Sequence, residues 1–427
     1  MPHCSLPRGA GEGWGGGQHA RANHVNPVTT AILALCLGHV FSNAVRTIPA
    51  IAADVLTRDL GITAEALAQV TSAFPLAFAA VMIPVGIGLD RYGVKAVSLF
   101  LLTVAGCGAA LGALATGPWS MLLAQVVLGA GCSGMLMCPI TFAARALTAQ
   151  RFALWSGIIQ AVGNTGMLLS ASPLALLVEA TSWRAGYWAC AALASLAIAA
   201  VAALVPAERP ETRPSRGLLA DMGEVLAMAW RPGIRAVTVF VFASFAAVLG
   251  VRGLWGGPWL MEAKGLGRIE AGNILLACTV ALTAGPALAG LVLRRFGRGP
   301  LLMAGSHLLA ALFILLVIAG GPGGPAARAF GLAAMPPAWD LVMLVGFGLV
   351  ISFQVIGFSL VRNAVPPEQA GRALSAANLF FFLGAAVLQM LSGPMAAWGG
   401  VAAALGTFAA GLILCTAGFL LLLPRRG

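Results

Sequence analysis

Twelve long apolar stretches follow one another along the chain, and they constrain its fold more than any other feature. A helix that crosses a bilayer needs about 20 apolar residues, and each stretch reaches or approaches that length. None alternates between apolar and polar residues as a half-buried strand would. The predicted spans, numbered 1 to 12, cover 28–53, 66–88, 96–116, 119–142, 152–178, 186–206, 235–259, 270–293, 300–320, 338–361, 373–397 and 401–423.

The scarcity of charge shows what surrounds these spans. Only 9% of the 427 residues are charged and 59% are hydrophobic, whereas soluble domains carry roughly 25% charged residues. A soluble protein of this size could not cover its surface with so few charges. Backbone groups inside a bilayer must bond within the protein, as they do in helices. The sequence therefore predicts an all-α membrane protein with twelve transmembrane helices.

The basic residues are distributed unevenly between the two sides of the predicted membrane. Two of the 25 lysines and arginines fall inside spans, Arg46 and Arg252, and 18 fall on the side of the N-terminus. Such a bias is typical of cytoplasmic segments, so the net charge of +11 reflects topology and not nucleic-acid binding. We expect a multi-pass protein of the plasma (inner) membrane with both termini in the cytoplasm. The opposite side holds five basic residues: Arg58, Arg184, Lys264, Arg268 and Arg328.

The chain divides into two similar halves. A Gly-rich tail (1–27) precedes a six-span half (28–206), a polar linker (207–234), a second six-span half (235–423) and a short tail (424–427). Within the linker, 217–229 is either an amphipathic helix on the membrane face or an ordinary connector. Three residues of the first half have an identical residue 204 positions later in the second half, and Arg46 has its match, Arg252, 206 positions later. The three matches pair Gly86, Arg91 and Gly93 with Gly290, Arg295 and Gly297.

No pattern in the chain indicates an enzyme, a metal site or a cofactor. Seven of the eight cysteines are scattered through the spans without a CxxC pair, so they resemble small apolar fillers; Cys4 lies in the N-terminal tail. The sequence "GAGCSG" (129–134) lies inside span 4, whereas a dinucleotide fingerprint follows a strand. There is no P-loop either. We expect no catalytic residue, no metal and no cofactor.

The loop between spans 2 and 3 carries the most specific motif. In "GIGLDRYGVK" (86–95), a glycine, an acid, an arginine, a second glycine and a lysine recur at fixed spacing; they are Gly86, Asp90, Arg91, Gly93 and Lys95. With this motif and the two six-span halves, the chain resembles the major facilitator superfamily from about residue 28 onward. Gly88 stands where the family has leucine.

The resemblance implies a fold of two pseudo-symmetric six-helix bundles and transport by alternating access. It also implies a monomer, and a latch role for the loop motif in holding the cytoplasmic side shut. The second repeat has Arg294 in place of the acid, so a latch there would be weaker or different. Gln125 stands where many proton-coupled members carry an arginine, which argues against proton-driven drug antiport.

Two arginines inside the spans are the main candidates for solute binding. Arg46 lies 18 residues into span 1, and Arg252 lies at a similar depth in span 7. His39, Asn43 and Arg46 follow at i, i+4 and i+7, which places them on one helix face. No acid lies at a comparable depth, and guanidinium groups bind carboxylate and phosphate oxygens through two hydrogen bonds. We therefore predict an anion held between the two arginines, as in the family's organic anion and organophosphate exchanger branches.

Further polar and aromatic residues of the spans either line this cavity or join helices to one another. They are Trp255, Gln160, Asn164, Gln354, Phe358, Asn378, Phe382 and Gln389. We assign Trp259 to the aromatic belt at the membrane interface.

The sequence thus predicts a secondary transporter that moves a small anionic solute: an organic acid, a phosphate ester or an inorganic anion. Its coupling partner is either protons or a counter-anion, and His39 could carry the proton. Two alternatives remain, an efflux transporter of neutral or cationic compounds and a membrane sensor or scaffold without transport. A cavity for cations should contain a carboxylate, and a sensor should have a long cytoplasmic domain.

Overall fold

The chain folds into a bundle of membrane-length helices, as its apolar stretches predict. A computed structural model describes residues 27–207, 218–366 and 370–423. The N-terminal tail, the start of the linker and the last four residues lie outside the described residues. Within them, eleven helices are long and apolar enough to cross a membrane. The last, Ala373–Leu422, is 50 residues long and is interrupted at Gly399 and Gly400, so it accounts for two crossings. Twelve spans result.

In the first half, several spans are built from two helical pieces. Span 1 is Pro27–Val45 and Ile48–Leu60, and spans 2 and 3 form one unit, Ala64–Ala113, with a break at Gly93. Span 4 consists of Pro118–Cys132 and Met137–Ala146, span 5 of Ala149–Leu169 and Ser172–Ala180, and span 6 of Trp183–Leu204.

The second half repeats this plan. Span 7 begins as Arg235–Gly250 and continues through two π-helical turns, Val251–Trp255 and Trp259–Ala263, with Gly256–Pro258 between them. Spans 8 and 9 are Arg268–Phe296 and Gly299–Ala319. A short helix, Pro325–Ala329, precedes span 10, which comprises Pro337–Ile351, Ser352–Gln354 and Val355–Asn363. Spans 11 and 12 lie within Ala370–Leu422.

The described part of the linker contains a helix, Leu218–Ala229, and its position on the membrane face stays a prediction. Val225, Met228 and Ala229 are buried where this helix packs against span 11. The apolar face of the linker helix is therefore used against the bundle.

Backbone geometry supports the internal repeat. Gly93 has φ 79° and Gly297, its match in the second half, has φ 61°. Residues with a side chain rarely adopt such positive φ values. The two glycines therefore make the same kind of tight turn after spans 2 and 8.

The two halves pack along spans 1 and 7, 2 and 11, and 5 and 8. Small residues allow close contact, as in other membrane helix pairs. At Gly257 in span 7, an added Cβ would overlap the Ala50 carbonyl of span 1. We call the face at which Pro27 begins span 1 the terminal face, and the opposite face the distal face.

Candidate functional site

A cavity of about 270 Å³ lies between the two halves. Its walls come from spans 1, 2, 4 and 5 of the first half and from spans 7, 8, 10 and 11 of the second. Among the lining residues that the structure describes, Arg46 is the only charged one. The polar lining residues are His39, Ser42, Asn43, Arg46, Ser133, Gln160, Asn164, Ser352, Gln354 and Asn378.

Arg46 lines this cavity at the point where span 1 changes direction. The helix ends at Val45 and resumes at Ile48. The Arg46 Nε donates to the Ser42 carbonyl at 2.8 Å, and Nη2 donates to Ser42 Oγ at 2.9 Å. These bonds hold one edge of the guanidinium against Ser42, one turn earlier in the same span. No described residue accepts a hydrogen bond from Nη1, so that edge has free donors for a solute.

His39 lies two turns and Asn43 one turn before Arg46 in the sequence, and both line the cavity with it. Asn43 Nδ2 donates to the Gly163 carbonyl at 2.9 Å and lies 3.4 Å from His39 Nε2. Because the amide nitrogen can only donate, Nε2 acts as the acceptor, and the proton of a neutral ring is on Nδ1. His39 Nδ1 is buried and has no hydrogen-bond partner among the described residues. It is a second donor without a partner in the cavity wall.

The remaining predicted amides also line the cavity. Gln160 Nε2 donates to Asn164 Oδ1 at 3.3 Å within span 5. Asn378 of span 11 lies with Nδ2 3.5 Å from the sulfur of Met82 in span 2, across the two halves. Gln354 Oε1 is buried and accepts no hydrogen bond from the described residues. Polar groups are therefore present on both walls.

Five phenylalanines supply most of the aromatic lining. Phe358 and Phe382 are possible lining residues from the sequence, whereas Phe78, Phe245 and Phe381 are not among its candidates. Phe78 of span 2 stacks on Phe382 of span 11 with ring centroids 3.7 Å apart, and Phe245 stacks on Phe381 at 4.7 Å. The Arg46 Cζ lies 5.7 Å from the Phe245 ring centroid. The cavity thus combines one cation with stacked rings. The five lining rings are Phe78, Phe245, Phe358, Phe381 and Phe382.

Arg252 is not part of the cavity lining, although the sequence predicts that it faces Arg46. Its side chain is fully buried, with Nε donating to Thr279 Oγ1 at 2.7 Å and Nη2 donating to the Met167 carbonyl at 2.7 Å. Met167 belongs to span 5 and Thr279 to span 8. In this conformation Arg252 therefore joins the two halves instead of pairing with Arg46.

The physical reason is the local form of span 7. Val251–Trp255 is a π-helical turn, and such a turn points side chains in directions that α-helical periodicity does not give. The following residue, Gly253, packs against Arg46 and Thr47. The two arginines are therefore neighbours in the chain packing, but the Arg252 guanidinium points toward spans 5 and 8.

The two tryptophans of span 7 also differ from expectation. Trp255 does not line the cavity; it is buried, and its Nε1 donates to Ser392 Oγ at 2.8 Å. Trp259 is not in an interfacial belt. It is buried, and its Nε1 donates to Asp340 Oδ1 at 2.8 Å. Asp340 in turn forms an ion pair with the buried Lys264 at 3.0 Å, so these groups stabilise the distal end of the second half.

A charged network joins the two halves at the distal face. Arg268 at the start of span 8 donates to both oxygens of Asp54, at 2.8 and 2.7 Å, and to Glu179 at 2.9 Å. It also reaches the Ile51 carbonyl at 2.5 Å. The Arg268 side chain is 9% exposed. We call these three side chains, Arg268, Asp54 and Glu179, the distal clasp.

Sequence reasoning missed the distal clasp, although a signal was present. The acids Asp54 and Glu179 lie at the distal ends of spans 1 and 5 in the first half. Arg268 lies at the distal start of span 8 in the second half. This division of opposite charges between the halves predicts attraction across them at one face.

The predicted latch loop lies at the terminal face. Lys95 Nζ donates to the Ala202 carbonyl at 2.7 Å, and the Arg91 guanidinium lies over the neighbouring Tyr92 ring at 5.5 Å. The side chain of Asp90 lies outside the described residues. The space around Gly86 would accommodate a side chain, because an added Cβ would contact only the Met137 side chain, at 3.8 Å. The latch role of Gly86, Asp90, Arg91, Gly93 and Lys95 stays a prediction.

Thr279→Val tests the structural role of Arg252. Valine has the shape of threonine but leaves the Arg252 Nε without its acceptor, which should cost about 1–3 kcal/mol of stability. The measurement is the unfolding midpoint of the purified protein in detergent. Thr283→Val is the matched control, because Thr283 donates only to the Thr279 carbonyl of its own helix. An equal loss in both variants would contradict the assigned bridge.

Comparisons with known proteins place this architecture among transporters. A family model described as Major Facilitator Superfamily matches residues 35–388. The chain is 25% identical to the tetracenomycin C resistance and export protein of Streptomyces glaucescens, over 84% of this chain and 75% of that protein. It is 28% identical to the cephamycin export protein CmcT of Amycolatopsis lactamdurans, over 40% of this chain and only 35% of that protein.

Solved structures share the fold at low identity. The crystal structure of the nucleoside transporter NupG has a TM-score of 0.70 at 15% identity, with 94% of this chain and 100% of that chain covered. A POT family transporter in complex with 5-aminolevulinic acid has a TM-score of 0.75 at 13% identity, with coverages of 95% and 97%. At these identities the likeness concerns the arrangement of helices and not the solute.

Proposed function

The chain belongs to the major facilitator superfamily and is a membrane transporter of that type, and we propose that it exports a small organic anion. The observation that carries this proposal is the unpaired guanidinium edge of Arg46 in a cavity between the halves. A charge inside a membrane protein is costly unless it has a partner or a function. No carboxylate is found among the described residues that line this cavity, so an anionic solute would supply the missing charge.

The distal clasp supports a cycle of alternating access. In this conformation Arg268 and Arg252 both bind acceptors of the first half, at or toward the distal face. Breaking these contacts would let the halves part on that side, as the family's two-repeat plan allows. We therefore interpret the structure as the state that is closed toward the distal face. The predicted excess of basic residues makes the terminal face cytoplasmic.

The direction of transport rests on the relatives. Both curated relatives are named as export proteins, for tetracenomycin C and for cephamycin. Export from the cytoplasm would have the solute enter at the terminal face and leave when the distal clasp opens. The family resemblance supports a monomer in the plasma (inner) membrane as the working unit.

Transport of matched solutes by purified protein in liposomes tests the proposal. Vesicles are loaded with an organic acid, its neutral amide or an amine of similar size, and exchange with labelled solute outside is measured. We expect exchange with the acid and at least about tenfold less with the amide or amine, since an ion pair at a partly buried site strengthens binding. Efflux of neutral or cationic compounds would be the function if amide or amine exchanged faster than the acid. A sensor or scaffold would exchange none of them.

The coupling partner is proposed to be a counter-anion, with His39 acting as a neutral donor. Its Nε2 already faces the Asn43 amide donor at 3.4 Å, so a second proton on the ring would have to displace that amide. We expect anion exchange to depend on pH in the same way in the wild type and in His39→Gln. A pH dependence that disappears in His39→Gln would instead assign proton coupling to this residue.

A further inference from the structure

Several side chains of the cavity wall have hydrogen-bonding capacity that no described residue uses, and three of these groups bear on the solute. Two are buried atoms without a partner, His39 Nδ1 and Gln354 Oε1. The third is the Nη1 edge of Arg46. Buried polar groups in folded proteins nearly always have partners, and leaving one without a partner costs about 1–3 kcal/mol. A bound solute that satisfied His39 Nδ1 and Gln354 Oε1 would recover that free energy, and an anionic group would also neutralise Arg46.

The three groups differ in chemistry and in position. His39 and Arg46 offer donors from span 1 of the first half, and Arg46 adds a positive charge. Gln354 offers an acceptor from span 10 of the second half. A solute that fits both walls therefore carries its anionic group toward span 1 and a hydroxyl or amine donor toward span 10.

The space between these walls is lined by aromatic rings. Phe245 stacks on Phe381 and lies edge to face with Phe382, with centroids 4.7 and 5.0 Å apart. The Phe245 ring is also 5.7 Å from the Arg46 guanidinium carbon. An aromatic ring attached to an anionic group at Arg46 would thus meet Phe245 first. Aromatic pairs contribute about 0.5–1.5 kcal/mol beyond the burial of their area.

The volume of the cavity indicates the scale of the solute. Its volume of about 270 Å³ equals roughly nine water molecules at about 30 Å³ each, and pockets for drug-sized ligands begin near 300 Å³. One ring, or two fused rings, with short substituents would fill it.

From these observations we propose that the solute is a small aromatic monoanion with a hydrogen-bond donor on the side of the ring away from its charge. This inference rests on the proposed function, because it concerns the same cavity. The anionic group binds Arg46 Nη1 and His39 Nδ1, the ring packs against Phe245, and the distant donor binds Gln354 Oε1.

Four probe compounds separate the elements of this proposal. They are 4-hydroxybenzoate, benzoate, cyclohexanecarboxylate and 4-hydroxybenzamide, and their dissociation constants are measured by calorimetry on the protein in lipid nanodiscs. 4-Hydroxybenzoate should bind tightest. Losing the hydroxyl, and then the aromaticity of the ring, should each weaken binding about two- to tenfold. Cyclohexanecarboxylate binding as tightly as benzoate would overturn the aromatic assignment.

Variants connect each preference to a residue. Phe245→Leu keeps an apolar wall and should abolish the preference for benzoate over cyclohexanecarboxylate. Phe100→Leu is the matched control, because Phe100 is 68% exposed on span 3, outside the cavity. Gln354→Met keeps the length of the side chain and should abolish only the advantage of the hydroxyl group. The proposal would be contradicted if Phe245→Leu still preferred benzoate over cyclohexanecarboxylate and Gln354→Met still preferred 4-hydroxybenzoate over benzoate.

The outcomes also distinguish this inference from the proposed function. If 4-hydroxybenzamide binds as well as 4-hydroxybenzoate, charge is not recognised and the proposed anion transport fails. If the acids exceed the amide but do not differ among themselves, anion transport stands and the aromatic inference fails. Absence of binding by all four probes to folded protein also overturns the inference.

Discussion

Replacing Arg46 by glutamine is expected to reduce anion transport about thirtyfold or more. Arg46 is the only charged side chain among the described residues that line the cavity, and glutamine keeps a polar group while removing the charge. Loss of one partner from a buried, hydrogen-bonded charge pair costs about 2–5 kcal/mol, and 1.4 kcal/mol is a factor of ten. The measurement is the initial rate of acid exchange in liposomes, normalised to the amount of folded protein.

Two further variants make this result specific. Arg46→Lys keeps the charge but loses the planar fork of guanidinium donors, so its rate should fall between those of the wild type and Arg46→Gln. Arg58→Gln removes an equal charge from a side chain that is 74% exposed near the distal end of span 1, and should leave the rate unchanged. If Arg46→Gln exchanged acid as fast as Arg58→Gln, Arg46 would have no role in binding the solute.

Replacing Arg268 by glutamine is expected to open the distal face. The substitution leaves Asp54 and Glu179 of the first half without the cation of the second half that now binds both. Charge-assisted, two-point arginine contacts are among the stronger polar interactions in proteins, although partial exposure of the acids weakens them. We expect the population open at the distal face to rise about tenfold, equivalent to 1.4 kcal/mol.

The opening can be measured with a cysteine at Ser172. Ser172 is partly buried beside span 8, where its Oγ donates to Asn273 Oδ1 at 2.7 Å, so its exposure should increase when the halves part. Labelling of Ser172→Cys by a membrane-impermeant maleimide should be about tenfold faster in the Arg268→Gln background. Protein without the added cysteine gives the background from native thiols.

Arg184→Gln provides a matched control for the distal clasp. Arg184 is also an arginine at the distal face, and it bonds to Asp59 at 3.4 Å and to the Ala115 carbonyl at 3.1 Å. Both partners belong to the first half, so this substitution should not change labelling at position 172. Equal acceleration by Arg184→Gln, or none by Arg268→Gln, would show that the distal clasp does not control opening.

The spans are predictable from sequence because the lipid bilayer constrains each segment independently of the rest of the chain. A segment long enough to cross a bilayer must be apolar and helical wherever it lies in the chain. The break between spans 11 and 12 at Gly399 and Gly400 falls between the predicted ends at 397 and 401. The helical pieces within spans 1, 4 and 10 are not predictable from hydropathy, because the hydropathy of a segment does not depend on interruptions of its helix.

The cavity is predictable where the helix is regular and less so where it is not. His39, Asn43 and Arg46 follow α-helical spacing up to the end of the first helix, and all three line the cavity. Arg252 lies in a π-helical turn, so the same spacing rule gives the wrong direction for its side chain. Phe245 was missed because an apolar residue in a span looks the same in sequence whether it faces lipid or a cavity.

The distal clasp could not be paired from sequence alone. Arg268 and Asp54 are 214 residues apart, and only the packing of span 8 beside spans 1 and 5 brings them together. Composition places the charges at the ends of spans, but it does not determine which ends meet.

A thermodynamic cycle on Arg46 measures most directly whether a negative solute completes this cavity. Dissociation constants of 4-hydroxybenzoate and 4-hydroxybenzamide are determined for the wild type and for Arg46→Gln. The wild type should prefer the acid at least about tenfold, and Arg46→Gln should bind acid and amide equally, a coupling of about 1.4 kcal/mol or more. The same preference for the acid in both proteins would contradict the assignment of Arg46 as the anion-binding group.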